Sequence, residues 1–175
     1  MMSYLLLYLY CLTLTIGSIS TKFPSKKVGK LEISPVGIGT WQWGNQFLWN
    51  YDSKNDDELN DTFDYLCSVD NIWFDTAEVY GKDSRSETLL GVFNKKLSAK
   101  GKRKRPIILT KGAPQPLRIG PEAMFKAGVD SCSRLQVPIL DLYQLHWPPS
   151  PFLWQEEAYV SGMVRFNCFF VLFFF

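Results

Sequence analysis

Ile107-Ile108-Leu109-Thr110-Lys111 leads through a polar loop to Gly120-Pro121 and an amphipathic segment ending near Leu135; after Pro138, a second apolar run from Leu140 to Leu145 stops at His146. Proline suits a first helical turn, where its missing N–H leaves no intrahelical bond unmade. Phe125, Val129, Cys132 and Leu135 supply an apolar face at helical spacing. The stretch therefore reads as strand, helix, strand. Strands separated by a helix of that length pair in parallel, with the helix laid over one face.

Working outward, the same alternation recurs. A helix is expected over about Asp56 to Val69, with Leu59, Phe63, Leu66 and Cys67 at positions i, i+4, i+7 and i+8 behind an Asp-rich start. Asn71 to Asp75 follows as a strand. The next helix opens with Ser84-x-x-Glu87, the pattern of a capping box, and buries Leu89, Phe93 and Leu97. Val36 to Thr40 begins the parallel series, preceded by a small hairpin or strand over Val28 to Ile33. Four strand-helix steps result, the fourth without a convincing helix. The expected fold is α/β, the N-terminal half of a (β/α)8 barrel. A closed barrel takes about 250 residues, so 175 residues with four steps are expected to leave it open.

Composition excludes some partners. A formal charge of +2 provides no general attraction to nucleic acid or to a membrane surface. The run Lys102-Arg103-Lys104-Arg105 falls between a helix and a strand and reads as a solvated loop. Cys11, Cys67, Cys132 and Cys168 have no metal-ligand spacing, and Cys67 and Cys132 lie on apolar helix faces as free thiols, so no metal site is expected.

Both ends differ from the middle. Residues 1–20 contain an apolar run from Tyr4 to Ile16 followed by Ser18 and Ser20 in a small-x-small pattern, as in a signal peptide. That run is shorter than the ~20 residues a spanning helix needs, so no stable membrane span is expected. Residues 21–30 carry Lys22, Lys26, Lys27 and Lys30 and no acidic residue. A signal followed by such a transit-like extension predicts import into a plastid, or else secretion. In a secreted chain Asn60-Asp61-Thr62 would be a glycosylation sequon, but its place inside a helix makes it a chance match. Residues 164–175 form a divergent, Phe-rich tail whose run from Phe169 to Phe175 has neither strand alternation nor helical period. It reads as a translated thymine-rich intron or a frame error, which transcript sequencing tests.

The strand ends carry the chemistry. Asp75, Lys111 and His146 each stand at the C-terminal end of a strand, and Tyr80 follows Asp75 in a short loop. In a parallel barrel these ends share one rim, where active sites of this architecture are assembled. Alone, Asp75 reads as a turn cap, Lys111 as a solvated strand end, Tyr80 as a core residue and His146 as a structural imidazole. Packing does not require them as a set. A phenol with pKa near ~10 is a poor acid at neutral pH, and an adjacent ammonium favours its phenolate. Such a set suits proton delivery to a carbonyl oxygen, with Lys111 tuning Tyr80, Asp75 holding Lys111, and His146 orienting the substrate oxygen. The hydride must come from a cofactor, because no side chain supplies one.

Gly37-Ile38-Gly39-Thr40-Trp41, Phe74-Asp75-Thr76-Ala77-Glu78-Val79-Tyr80-Gly81, Ser86-Glu87-Thr88-Leu89-Leu90-Gly91, Leu109-Thr110-Lys111 and Asp141-Leu142-Tyr143-Gln144-Leu145-His146-Trp147-Pro148 resemble the aldo-keto reductase family in order and spacing. The resemblance is nearest to plastid-type members of plants and algae. A truncated domain over residues 27–163 is its extent, Trp154 to Tyr159 still continue it, and it ceases after about Met163.

The resemblance implies an NADPH-dependent reductase of aldehydes or ketones, with catalytic Asp75, Tyr80, Lys111 and His146, and with Thr40, Trp41 and Asp75 touching the cofactor. Glu87 and Gly91 match the motif as structural residues. It implies too that most of the NADPH site lies in strands five to eight. The 175-residue chain is expected to be inactive alone and to be insoluble or self-associating, with a small carbonyl compound as the substrate of the full-length parent. Two other readings stand beside it: a non-enzymatic binding subunit of the same lineage, like the channel β subunits, and a truncated product without function.

Overall fold

The structure is a computed structural model that describes residues 24–101, 105–149, 153–166 and 169–171. A hairpin of β1 (Lys26–Val28) and β2 (Leu31–Ile33) precedes a five-stranded sheet of β3 (Ile38–Gly39), β4 (Trp73–Asp75), β5 (Ile107–Gly112), β6 (Leu142–Leu145) and β7 (Phe169–Val171). Every neighbouring pair in that sheet is parallel and the strand order follows the chain. Helices α1 (Gln46–Trp49), α2 (Asp56–Leu66), α3 (Arg85–Ala99), α4 (Gly120–Leu135) and α5 (Glu156–Val164) fill the crossovers. Among the described residues the sheet is open, with β3 and β7 at its edges, and the architecture is a partial (β/α)8 barrel.

Alternation along each strand sorts the side chains. Phe74, Ile108 and Tyr143 are fully buried beneath the helices, where Phe63 of α2, Leu90 and Phe93 of α3, and Met124 of α4 meet them. The alternate residues Trp73, Asp75, Leu109, Lys111, Leu142 and Gln144 line a concavity of about 570 Å³ on the other face, to which Leu31 and Ile33 of the hairpin also contribute. Gly37 is required there: a Cβ on it would lie 2.1 Å from the Trp73 ring. Gly91 and Gly162 have the same role among the helices, since their Cβ atoms would strike the backbones of Arg134 and Pro121.

Several expectations meet a different outcome. Ser84 forms no capping box; it adopts a left-handed conformation (φ 58°) and its side chain makes no cap hydrogen bond. Glu87 cannot reach back to it, because both carboxylate oxygens are held inside by Thr110 and Arg134. The buried stripe of α4 is Met124, Ala127, Gly128, Ser131 and Leu135, with Val129 exposed. The helix is rotated from the expected face because it packs against α3, α5 and the sheet together, and small residues permit those close approaches. A helix does follow β6: α5 buries Tyr159, Gly162 and Met163, a face too short to show a clear period.

Three residues of the Phe-rich run form a strand, which their lack of alternation did not predict. Phe169–Val171 pairs with β6 in the register Leu142↔Phe169, Tyr143↔Phe170, Gln144↔Val171. Strands of parallel sheets are covered on both faces and read as continuous apolar runs, so missing alternation does not argue against one. The signal-like segment, the first three residues of the basic extension, Lys102 to Lys104, Cys11, Cys168 and the last four residues lie outside the described residues, whereas Lys26 and Lys27 of that extension belong to β1. Cys67 is buried and Cys132 half-buried, and neither is in a disulfide. Asn60 is buried within α2, which makes the sequon unusable in this fold. No helix among the described residues is long and apolar enough to cross a membrane, and those residues hold no metal-binding cluster.

Candidate active site

The strand phase that turns Trp73 and Leu109 into the concavity turns Asp75 and Lys111 the same way, two residues further on. Lys111 Nζ lies 2.7 Å from Asp75 Oδ2 and equally close to Oδ1. It also donates to Thr76 O at 3.0 Å and to Tyr80 Oη at 3.2 Å. An ammonium has three protons, and all three have directed acceptors. Tyr80 follows in the turn after β4, its N–H donating to Ala77 O at 3.0 Å.

His146 enters from the adjacent strand, its N–H bonded to Gly112 O at 2.9 Å. Its ring meets the Tyr80 ring edge-on at 5.4 Å between centroids and the Trp147 ring at 4.6 Å. Burial pushes the imidazole down to about 4, assisted by the Lys111 charge and opposed by Asp75 and Glu78. It is therefore neutral at physiological pH. Its Nδ1 is buried with no hydrogen-bond partner among the described residues, and an unpartnered N–H is a costlier thing to bury than an unpartnered lone pair. The proton accordingly belongs on Nε2, which leaves that nitrogen to donate to a ligand.

The structure thus brings Asp75, Tyr80, Lys111 and His146 to one rim. Thr40 and Trp41 sit at the end of β3 on the same rim. Thr40 is fully buried, and its hydroxyl donates to Asp75 O at 3.0 Å and lies 2.7 Å from Ser86 Oγ. Ser86 Oγ lies 3.0 Å from Thr76 Oγ1 as well. Thr40 therefore shapes the wall beneath Asp75. Trp41 is about half exposed, its ring edge-on to Trp49 at 5.7 Å.

Sequence reasoning missed two charged residues of this rim. Glu78 and Arg118 form a buried ion pair, with Arg118 Nη2 donating to Glu78 Oε2 at 3.0 Å and Nη1 donating to Oε1. The two lie forty positions apart in the chain, so no local spacing announces them. The one available signal was a carboxylate set between Ala77 and Val79 in an otherwise apolar turn. Ser86, a motif residue to which the sequence assigns no role, joins three elements through its hydroxyl.

The sequence matches the Aldo/keto reductase family model over residues 35–160. It is similar to chloroplastic pyridoxal reductase of Arabidopsis thaliana, 38% identical over 152 residues that cover 79% of this chain and 42% of that protein. It is also similar to aldo-keto reductase YhdN of Bacillus subtilis (strain 168), 34% identical over 148 residues, covering 77% of this chain and again 42% of the relative. The chain thus spans less than half the length of both. Among solved structures, the thermostable aldo-keto reductase Tm1743 with the inhibitor epalrestat superposes with a TM-score of 0.66 at 25% identity, over 86% of this chain and 53% of that one. A Klebsiella pneumoniae aldo/keto reductase in complex with NADP and acetate gives 0.61 at 23% identity, over 81% and 46%.

Proposed function

The chain belongs to the aldo/keto reductase family, and from that premise we propose that it supplies the proton-transfer half of an NADPH-dependent reductase of aldehydes or ketones, with Tyr80 as proton donor. The observation that carries this reading is the single ammonium of Lys111, shared between Asp75 and the Tyr80 hydroxyl, with His146 against the same phenol ring.

As the carbonyl is reduced, negative charge develops on its oxygen and the Tyr80 hydroxyl delivers a proton to it. Lys111, 3.2 Å away, stabilises the phenolate left behind. Asp75 keeps the ammonium from swinging toward solvent. His146, neutral and protonated on Nε2, donates a hydrogen bond that fixes the substrate oxygen within reach of Tyr80. NADPH, when bound, supplies the hydride. The residues present fit the reacting end of that cofactor: Asp75 offers a carboxylate lining the concavity, and Trp41 an accessible ring on the same rim. Arg118 is unavailable to its phosphates, being paired with Glu78. A plastid location accords with this reading, since one relative is a chloroplastic reductase of pyridoxal. Pyridoxal is accordingly the first aldehyde to assay.

The test is a chimera in which residues 35–160 replace the matching segment of YhdN, assayed for NADPH oxidation with pyridoxal and a model aldehyde. Turnover is expected, and Tyr80→Phe is expected to lower kcat by about 10²- to 10⁴-fold with NADPH binding unchanged. A folded, NADPH-binding chimera whose turnover ignores Tyr80→Phe would overturn the assignment.

A further inference from the structure

Beyond the four rim residues, the geometry points to Glu78 and Arg118 as a positioning pair that holds the Tyr80 turn in register with Lys111. The inference deepens the function proposed above and rests on that reading for its catalytic meaning.

Glu78 lies two residues before Tyr80, and it is fastened to β5 on both sides of Gly112. Its N–H donates to Lys111 O at 3.2 Å, and its Oε1 accepts the N–H of Ala113 at 2.5 Å. With Thr76 N–H donating to Leu109 O, this continues the β4–β5 ladder beyond the last residue of β4. The Tyr80 turn is thereby built on the same backbone that carries Lys111.

Arg118 closes the clamp from the loop between β5 and α4. Its guanidinium donates to both oxygens of the Glu78 carboxylate and to Ala113 O, the last at 2.5 Å. The Arg118 carbonyl in turn accepts the hydroxyl of Tyr159, a buried residue of α5. Both charged side chains are nearly buried, at 7% and 14% exposure. A buried carboxylate fixed through both oxygens by a guanidinium and a backbone N–H has one low-energy position. The turn following it inherits that position, and with it the 3.2 Å approach of Tyr80 Oη to Lys111 Nζ. Neither Glu78 nor Arg118 hydrogen-bonds Tyr80, so the pair acts through the backbone.

The sequence contains one histidine, His146, whose ring stands edge-on to Tyr80. Its imidazole proton resonances, assigned in the chimera of residues 35–160 by their loss in His146→Gln, therefore report where the Tyr80 ring lies, without any assay of activity. Tyr80→Leu removes the ring current and sets the reference position. At neutral pH, Glu78→Gln and Arg118→Met are each expected to move the His146 resonances most of the way toward that reference. The shared direction is decisive, because loss of a negative charge and loss of a positive charge would act on the imidazole with opposite sign. Arg118→Lys, which keeps the charge and one hydrogen bond, is expected to fall between wild type and Arg118→Met, and it carries the test should Glu78→Gln fail to fold. Resonances that stay in place, or that move in opposite directions in the two variants, overturn the inference. The two proposals fail separately: unmoved resonances with a Tyr80-dependent chimera would reject the clamp alone, and shifted resonances with a chimera indifferent to Tyr80→Phe would reject the proton donor alone.

Discussion

Two ion pairs of this molecule use similar groups to opposite ends. Asp75 and Lys111 meet on the concave face, 30% and 15% exposed, and the Lys111 ammonium extends its last proton to Tyr80. Glu87 and Arg134 meet in the helical layer, where Glu87 is wholly buried, Thr110 fills its other oxygen, and Arg134 also reaches Ser131. The first pair borders a concavity and has an unpartnered imidazole nitrogen beside it. In the second the carboxylate is closed off, both its oxygens being taken by Arg134 and Thr110, while Arg134 keeps a partly exposed edge. A pair that joins helix to helix and helix to strand holds the fold; a pair that lines a concavity, with a partly exposed phenol and imidazole beside it, can act on a ligand.

That contrast is tested most severely at Glu87. Glu87→Ala leaves Arg134 without its carboxylate and Thr110 without its acceptor, and should lower stability by about 3–5 kcal/mol in urea unfolding while the His146 resonances of the folded protein stay in place. A loss below about 1 kcal/mol would mean the closed pair is not holding the layers together.

A smaller effect is expected from pH. The folded imidazole of His146 takes up its proton only near pH 4, whereas an unfolded chain takes it near 6.5. Over that window the unfolded state binds more protons, so stability rises with pH and is lost as pH falls from 6.5 toward 4. Solvent screening of the partly exposed ring keeps the loss below the roughly 3 kcal/mol that the full shift would give. Comparing urea midpoints of the wild type and His146→Gln across this range isolates it; identical slopes for the two would show that the rim imidazole is not buried as described.

The mildest change is Ser86→Ala. Thr40 and Thr76 each lose a hydroxyl partner in a buried network, which should reduce stability by about 1–3 kcal/mol. Unlike Glu87→Ala, it should also disturb the rim, since Thr40 hydrogen-bonds the Asp75 carbonyl. A stability change confined to the helical layer, with no shift of His146, would place Ser86 with the closed pair.

Much of the architecture was legible from periodicity alone, because strands in a covered parallel sheet and helices over it leave different repeats. Leu89, Phe93 and Leu97 are buried as their spacing requires. What failed did so where more than one neighbour acts on an element. The face of α4 is set by three partners at once, and Phe169–Val171 becomes a strand because the edge of β6 accepts it. Asp75, Tyr80, Lys111 and His146 could be picked out because each stands at or just past a strand end. Glu78 and Arg118 could not, being forty positions apart in the chain.

By itself, then, the order of residues determined a parallel α/β layer and the chemical types gathered along its rim, since those follow from periods of two and 3.6 and from where each strand stops. Only the tertiary structure decided which charges are closed off and which face open space, and which way the α4 face turns. Those outcomes depend on distances between segments remote in the chain, and on how each buried polar group finds a partner, neither of which a local pattern encodes.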